Sequence, residues 1–475
     1  MESPLASGVC GPLRAILDWL YPIPGNLLRR ALRVARRDNP LWLREGDSMT
    51  SGETIRIGGA IYGGTFSTGG TGALGFVLSG ELVRGVAADA LPAILEASPD
   101  RVEPRCEHFG ICGGCQYQHA SYDAQLALKA EILSELLARD VAGIRTRHAE
   151  AWGYRNRIRL RVERAAEGFR VGYSRRYTNE FLPIRECPIA APLLWRAAEA
   201  LVKLGATDAN SGRWLAATSE LELFCTGDES RLQMTFYLRE ASRDGGSFPG
   251  FCGRIQAAVP ELAGAGAELD QELNRRVRRR WDGLAWGAPG LNYEVSGRTY
   301  WVSRGAFFQV NRWLVGELVE LVCADAEGTL AWDLFAGVGL FTRALAERFK
   351  TVVAVEVGAE AAADLAIAAK GGKGRAAFEA VHASTLDFLK LHELQRERPE
   401  LIVLDPPRAG VGAEAAAVLA GIGAERVVYC SCDPVTLARD LAVLTRDAYR
   451  VESVDLVDMF PQTFHLETVV RLRRR

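Results

Sequence analysis

Four times between residues 329 and 432 an apolar run stops on a residue with chemistry to offer. Residues 329–339 read T-L-A-W-D-L-F-A-G-V-G, and 351–357 read T-V-V-A-V-E-V. Residues 400–408 read E-L-I-V-L-D-P-P-R, and 426–432 read R-V-V-Y-C-S-C. Short runs rich in β-branched residues and punctuated by Gly and Pro predict buried strands, with helices in the stretches between. That alternation predicts an α/β chain with a doubly wound, mostly parallel sheet, whose ligands sit at the carboxyl ends of the strands. Asp333, Glu356, Asp405 and Cys432 all fall at such ends. Two later runs, 449–460 and 465–473, predict a closing antiparallel pair.

The fourth strand leads into Cys432-Asp433-Pro434. Asp is a good N-cap and Pro suits the first helical position, so Cys432 is expected at a strand-to-helix turn. The partial positive end of the helix favours thiolate there, while Asp433 opposes it. The competing reading is an inert, buried thiol. Gly337 and Gly339 let the main chain approach a ligand, and Glu356 is placed to take two ribose hydroxyls. The G-x-G-x-x-G of a dinucleotide site is missing. A lone G-x-G with a later D-P-P points instead to S-adenosylmethionine.

The front of the chain has a different character. Residues 1–49 include a basic stretch, 27–37, that could touch RNA or a membrane surface; a poorly ordered extension is expected. Residues 50–103 hold short strands joined by glycine turns, which suits a small N-terminal β-barrel. Cys106, Cys112 and Cys115 follow with C-x5-C-x2-C spacing. Three thiolates on one tight loop need a cation. Cys187 is the best fourth ligand, with Cys225, Cys252 and His108 as alternatives, and an iron–sulfur cluster is favoured over zinc. Residues 120–140 predict an amphipathic helix. Arg155, Arg157, Arg159 and Arg161 would share one face of a strand, where a phosphate backbone is the expected anionic partner. The arginine run 275–280 is expected to be an exposed loop that supports RNA.

Ten cysteines in a 475-residue chain suit metal binding or catalysis better than a disulfide scaffold. The net charge of -2 excludes a uniformly basic nucleic-acid binder, so any grip on RNA must be local. No apolar run long enough to span a bilayer and no leader pattern are visible, so a cytoplasmic protein with no membrane role is expected.

Taken together, G-A-F-F-Q-V-N (305–311), D-L-F-A-G-V-G (333–339), V-E (355–356), D-P-P-R (405–408), S-C-D-P (431–434) and F-P-Q-T-F-H-L-E (460–467) resemble the S-adenosylmethionine-dependent RNA uracil-5-methyltransferases. The front half resembles the 23S ribosomal-RNA branch, which carries a small RNA-binding barrel called TRAM and a [4Fe–4S] cluster. The resemblance implies a C-terminal Rossmann-like class I methyltransferase domain (306–475), a central α+β iron–sulfur domain (104–305), whose helix 120–140 could pack on the catalytic domain, and a TRAM-like barrel (50–103). It implies Cys432 as the nucleophile that adds to carbon 6 of uracil, and Glu467 as the base that removes the carbon 5 proton. It assigns S-adenosylmethionine to Gln309, Phe335, Leu340, Glu356, Ser384 and Asp405, with Ser384 standing where the family more often has Asp or Asn. It assigns the cluster to Cys106, Cys112, Cys115 and Cys187. The expected partner is RNA, ribosomal ahead of transfer RNA, and a monomer is the expected state. The rival readings are an amino-methyltransferase, in which D-P-P holds an amine and Cys432 is not needed, and an iron–sulfur RNA-binding protein without catalysis.

Overall fold

The computed structural model describes residues 54–69, 72–85, 91–138, 143–241, 245–270, 283–370, 377–395 and 398–475; the 1–49 extension and the 275–280 arginine run lie outside them. Eight described strands form the sheet that carries the strand-end residues. Their spatial order is Glu379–His382, Phe349–Glu356, Gly328–Leu334, Leu401–Leu404, Arg426–Ser431, Glu467–Arg474, Tyr449–Val457 and Ile144–Arg147. The first five are parallel. Glu467–Arg474 runs antiparallel to both neighbours, which is the expected closing pair. Chain order reverses between Gly328–Leu334 and Leu401–Leu404, the switch point where such a sheet opens its ligand crevice. Leu401–Leu404 is buried throughout, as a parallel strand covered on both faces must be.

The eighth strand comes from far upstream. Ile144–Arg147 pairs in parallel with Tyr449–Val457. Its arginines do not argue for a strand, but Asp455 answers them: Arg145 Nη2 lies 2.6 Å from Asp455 Oδ2, and Arg147 Nε lies 3.6 Å from Asp455 Oδ1. Just before it comes the helix Tyr122–Leu137, capped where the Ser121 hydroxyl accepts from the amide of Ala124. This helix buries Leu126, Ile132 and Leu133, and also Lys129.

A second sheet holds seven described strands, ordered Phe181–Pro183, Gly168–Ser174, Arg157–Ala165, Thr218–Cys225, Leu232–Leu238, Leu262–Leu269 and Leu284–Gly287. The helices Pro192–Thr207, Ala209–Ala217 and Phe248–Ala258 contribute Leu194, Trp214 and Phe251 to its core. Ile158, Leu160 and Val162 face that core, so the arginines alternate to the other face as expected. Their partners correct the phosphate expectation. Arg157 Nη1 lies 3.5 Å from Glu222, Arg159 pairs with Glu220, and Arg161 Nη2 lies 2.8 Å from Glu163. Glu220 and Glu222 stand on the adjacent strand, one step diagonal in the register. Arg157 and Arg159 also stack over Phe224 and Tyr237. The anions that balance this ladder belong to the protein itself. Arg155 lies outside the strand and donates to the carbonyl of Arg157.

At the front, Thr54–Arg56, Leu82–Arg84 and Ala93–Glu96 form one antiparallel sheet, and Ala60–Ile61, Thr65–Ser67 and Ala73–Gly75 form another. Both close over Ile57, Phe66, Val77 and Val83, with Tyr117 and Ala120 from the following segment. Among the described residues the strands make two ladders around one core rather than a single closed barrel. Among the described residues, no helix is long and apolar enough to cross a membrane.

Candidate active site

Strand register brings Cys432 and Glu467 to the same edge of the sheet. Cys430 pairs with Val469 and Ser431 with Thr468, and Cys432 and Glu467 each lie one residue beyond that last pair. Beyond Cys432, Asp433 accepts from the amides of Val435 and Thr436 at 3.0 and 2.9 Å and caps the helix Pro434–Leu444. The turn is the one expected, but its electrostatics are not. Burial pushes the Cys432 thiol up to about 12, with Glu467, Asp405 and Asp433 adding to the rise and Arg408 opposing it. Desolvation and carboxylates outweigh the helix end.

Glu467 is buried, and its carboxyl lies well above the usual range, chiefly through burial and then through Asp405. Asp405 is raised in the same way, first by burial and then by Asp333. Gln309 Nε2 lies 3.5 Å from Asp405 Oδ2. Gln309, Asp405, Cys432 and Glu467 therefore gather at one edge of the sheet. Phe307 lies two residues before Gln309, and 64 % of it is exposed.

The next strand end builds a separate cradle. Glu356 accepts from the amide of Gly337 at 2.8 Å and from that of Gly358 at 2.6 Å. Gly337 and Gly339 hold φ of 56° and 88°, and open space stands where a Cβ on Gly337 would be. Phe335, at φ 66°, adopts this left-handed conformation without being glycine, an outlier of the kind that collects at ligand sites. Leu340 opens the helix Leu340–Ala346, and its carbonyl accepts from the Tyr300 hydroxyl at 3.0 Å. Asp333 is buried behind this turn; one carboxyl oxygen meets the Thr342 hydroxyl, and the other has no hydrogen-bond partner among the described residues. Ser384 lies farther out, where its hydroxyl is engaged by Asp387 at 2.6 Å. A polar cradle of backbone amides and an acid fits an adenosyl group with ribose hydroxyls.

Several neighbours had no role assigned from sequence. Arg408 Nη2 lies 3.3 Å from both ring nitrogens of His465. Burial first, then Arg408, lowers His465 to about 3, so it is neutral at ordinary pH. Tyr62, from the front sheets, stands 3.4 Å from Asp433 Oδ2 and edge-on to Phe464. Arg408 and His465 were visible within D-P-P-R and F-P-Q-T-F-H-L-E; nothing in the sequence signalled Tyr62.

Cys106, Cys112, Cys115 and Cys187 are free thiols. Burial raises all four, Cys112 to about 11 and Cys115 to about 12, and Cys187 adds to the rise of the other three. The loop packs on the second sheet, with Gly113 N donating to Ser174 O and the Tyr173 hydroxyl 3.8 Å from Cys187 Sγ. Among the described residues, no group of three or more His, Cys, Asp or Glu side chains is arranged to hold a metal ion.

A family model described as tRNA (Uracil-5-)-methyltransferase matches residues 291–475. The 23S rRNA (uracil(1939)-C(5))-methyltransferase of Pseudomonas entomophila is 31% identical over 436 residues, covering 89% of this chain and 90% of that one. The chain belongs to the RNA uracil-5-methyltransferase family. This S-adenosylmethionine-dependent RNA (uracil-5-)-methyltransferase is also 32% identical over 426 residues to an uncharacterized RNA methyltransferase of Streptomyces avermitilis, with 82% and 88% of the two chains covered. In fold, the methyltransferase is similar to the Pyrococcus abyssi tRNA (uracil-54, C5)-methyltransferase crystallised with S-adenosyl-L-homocysteine. That match has a TM-score of 0.68 at 22% identity and covers 89% of this chain and 100% of that one.

Proposed function

We propose that the enzyme methylates carbon 5 of a uridine in 23S ribosomal RNA through a transient bond between Cys432 and carbon 6. The observation that supports this reading is that Cys432 and Glu467 each lie one residue beyond the last register pair, Ser431 with Thr468, at the same edge of the sheet. Carbon 5 of uracil is a poor nucleophile. As the Cys432 sulfur bonds to carbon 6 and its proton passes to water, the ring's double bond becomes an enolate, which activates carbon 5. Bound S-adenosylmethionine supplies an electrophilic sulfonium methyl. Glu467 then takes the carbon 5 proton, the ring double bond re-forms, and the carbon–sulfur bond breaks to release the Cys432 thiolate, which regains a proton from water. A buried carboxylate with a raised pKa is a stronger base than one in water, which suits that step.

Gln309, Phe335, Leu340, Glu356, Ser384 and Asp405 would hold the methyl donor, with Glu356 on the ribose hydroxyls and Asp405 also placed to accept from uracil N3–H. The target base must leave its stack to reach Cys432, and exposed Phe307 offers it a flat apolar face. Cys106, Cys112, Cys115 and Cys187 would hold a [4Fe–4S] cluster. The four thiols stand near enough to raise one another, as ligands of one centre would, and the C-x5-C-x2-C spacing with a distant Cys is what favours a cluster over zinc. The two small front sheets would act as the TRAM-like RNA-binding unit.

Ribosomal RNA is favoured because the relative that covers nearly the whole chain is named for it. Transfer RNA is the second reading, since the family description names it. RNA carrying 5-fluorouridine blocks proton loss and should trap a protein–RNA adduct with the wild type and none with Cys432→Ala; a trapped Cys432→Ala adduct sinks the mechanism. Mapping 5-methyluridine in ribosomal and transfer RNA from cells lacking the gene separates the two substrates.

A further inference from the structure

The segment Asp458–His465, which leads into Glu467, is held by distant residues along most of its length. Asp458 meets Lys129 Nζ at 2.5 Å and the Tyr122 hydroxyl at 2.9 Å. The carbonyls of Met459 and Phe460 accept from Asn311 Nδ2 and Lys129 Nζ at 3.1 and 3.0 Å, and that of Pro461 from the Tyr154 hydroxyl at 3.1 Å. The carbonyl of Gln462 accepts from the amides of Gln116 and Tyr117, both at 3.0 Å. Gln125 reaches both the amide and the side chain of Gln462, at 2.9 and 3.0 Å. Gln462 sits at φ 70°, a left-handed conformation that a non-glycine residue holds only when its surroundings impose it.

Part of those surroundings is the exit of the cysteine loop, and part is the helix Tyr122–Leu137 that follows it. Gln116 and Tyr117 directly follow Cys115. The buried Tyr154 hydroxyl donates to the carbonyl of Pro461, next to the Gln462 that the loop holds. We propose that the cysteine loop is a positioning element for Glu467: together with the helix Tyr122–Leu137 it clamps the Asp458–His465 segment at Gln462, and its integrity sets the rate of proton removal from carbon 5. The inference rests on the reading of Glu467 as the base. Gln125, Tyr154 and Gln462 are then positioning residues that act through Glu467.

A loop serving only RNA affinity would raise KM when loosened. A positioning loop lowers kcat at unchanged KM. It also lets the methylated protein–RNA adduct accumulate, because Glu467 acts after methyl transfer. The test compares Gln125→Met, Gln125→Glu and Tyr154→Phe in the full-length enzyme with Glu467→Gln as reference. Misplacing a catalytic group by a fraction of an ångström costs between about ten- and a hundredfold in kcat, and that loss is expected for Gln125→Met. Gln125→Glu keeps the acceptor for the Gln462 amide and should recover part of the rate. If Gln125→Met does not fold, Tyr154→Phe, which removes one oxygen, carries the same comparison. Hydrogen exchange gives a readout independent of turnover: the amides of Gln462 and Thr463 should exchange about tenfold faster in Cys115→Ser. If Glu467→Gln accumulates no adduct, the reading of the base fails. If it does, while the clamp variants show unchanged kcat, a raised KM alone or wild-type exchange, the clamp is refuted.

Discussion

Lys129 Nζ stands 2.5 Å from Asp458 Oδ1 with both side chains withdrawn from water, across 329 residues of chain. Burial depresses the lysine pKa while the aspartate supports its charge, so each ion is tolerable only because the other is present. Lys129→Met should cost about 3–5 kcal/mol, because Asp458 stays buried without its counterion. Adding Asp458→Leu should recover most of that loss. Urea unfolding of both variants checks the pair.

Replacing Cys432 by Ala should lower methyl transfer by at least about 10⁴-fold, the scale on which loss of a covalent nucleophile is felt. In the wild type, a thiol pushed up to about 12 by burial and its carboxylate neighbours is protonated at neutral pH. kcat/KM should therefore climb between about pH 6 and pH 9 rather than peak near neutrality. Steady-state methylation of an RNA fragment across pH measures both effects.

Glu356→Gln exchanges a carboxylate that accepts from Gly337 and Gly358 for an amide that can accept through only one oxygen. Charge-assisted bonds contribute about 1.5–3 kcal/mol each, so the methyl donor should bind roughly ten- to a hundredfold more weakly. Calorimetric titration with S-adenosylhomocysteine reads the change without turnover.

Asp333 is raised from its ordinary 3.8 to about 7, mainly by burial, with Thr342 pulling the other way. Its neutral form is favoured in the folded chain. That contribution is full below about pH 4 and is lost as pH rises through about 7. Asp333→Asn cannot ionise and should flatten this part of the stability profile, leaving the variant relatively more stable at pH 8 than at pH 4. Thermal unfolding against pH, compared with wild type, tests the sign.

Arg157 is stacked on Phe224 and paired with Glu222, so it belongs to the architecture of the second sheet. Arg157→Ala should lower Tm while leaving the salt dependence of RNA binding unchanged. Loss of a phosphate contact would instead shift that slope by about 0.7 on single-stranded RNA. Binding isotherms at several salt concentrations decide between the two.

The strand ends were legible because a parallel sheet buried on both faces writes itself as apolar runs, and the residues that stop those runs must face the ligand crevice. Cys432 was legible as a turn residue through Asp433 and Pro434, whose helix start depends only on neighbours in sequence. Its pKa was not, because Glu467 and Asp405 reach it through space and burial has no local signature. The arginine strand misled for the same reason: Glu220 and Glu222 lie some sixty residues downstream of the arginines they neutralise. Ile144–Arg147 was missed because its arginines break the apolar alternation, and only Asp455 makes them acceptable at that edge.

That edge strand bears on how such a protein can be divided or inherited. A fragment cut just ahead of the matched 291–475 stretch would leave Tyr449–Val457 with a bare row of backbone donors and acceptors, an invitation to aggregation. The transferase half is therefore not a portable cassette: a gene fusion that carried it away alone would take a sheet without its hem.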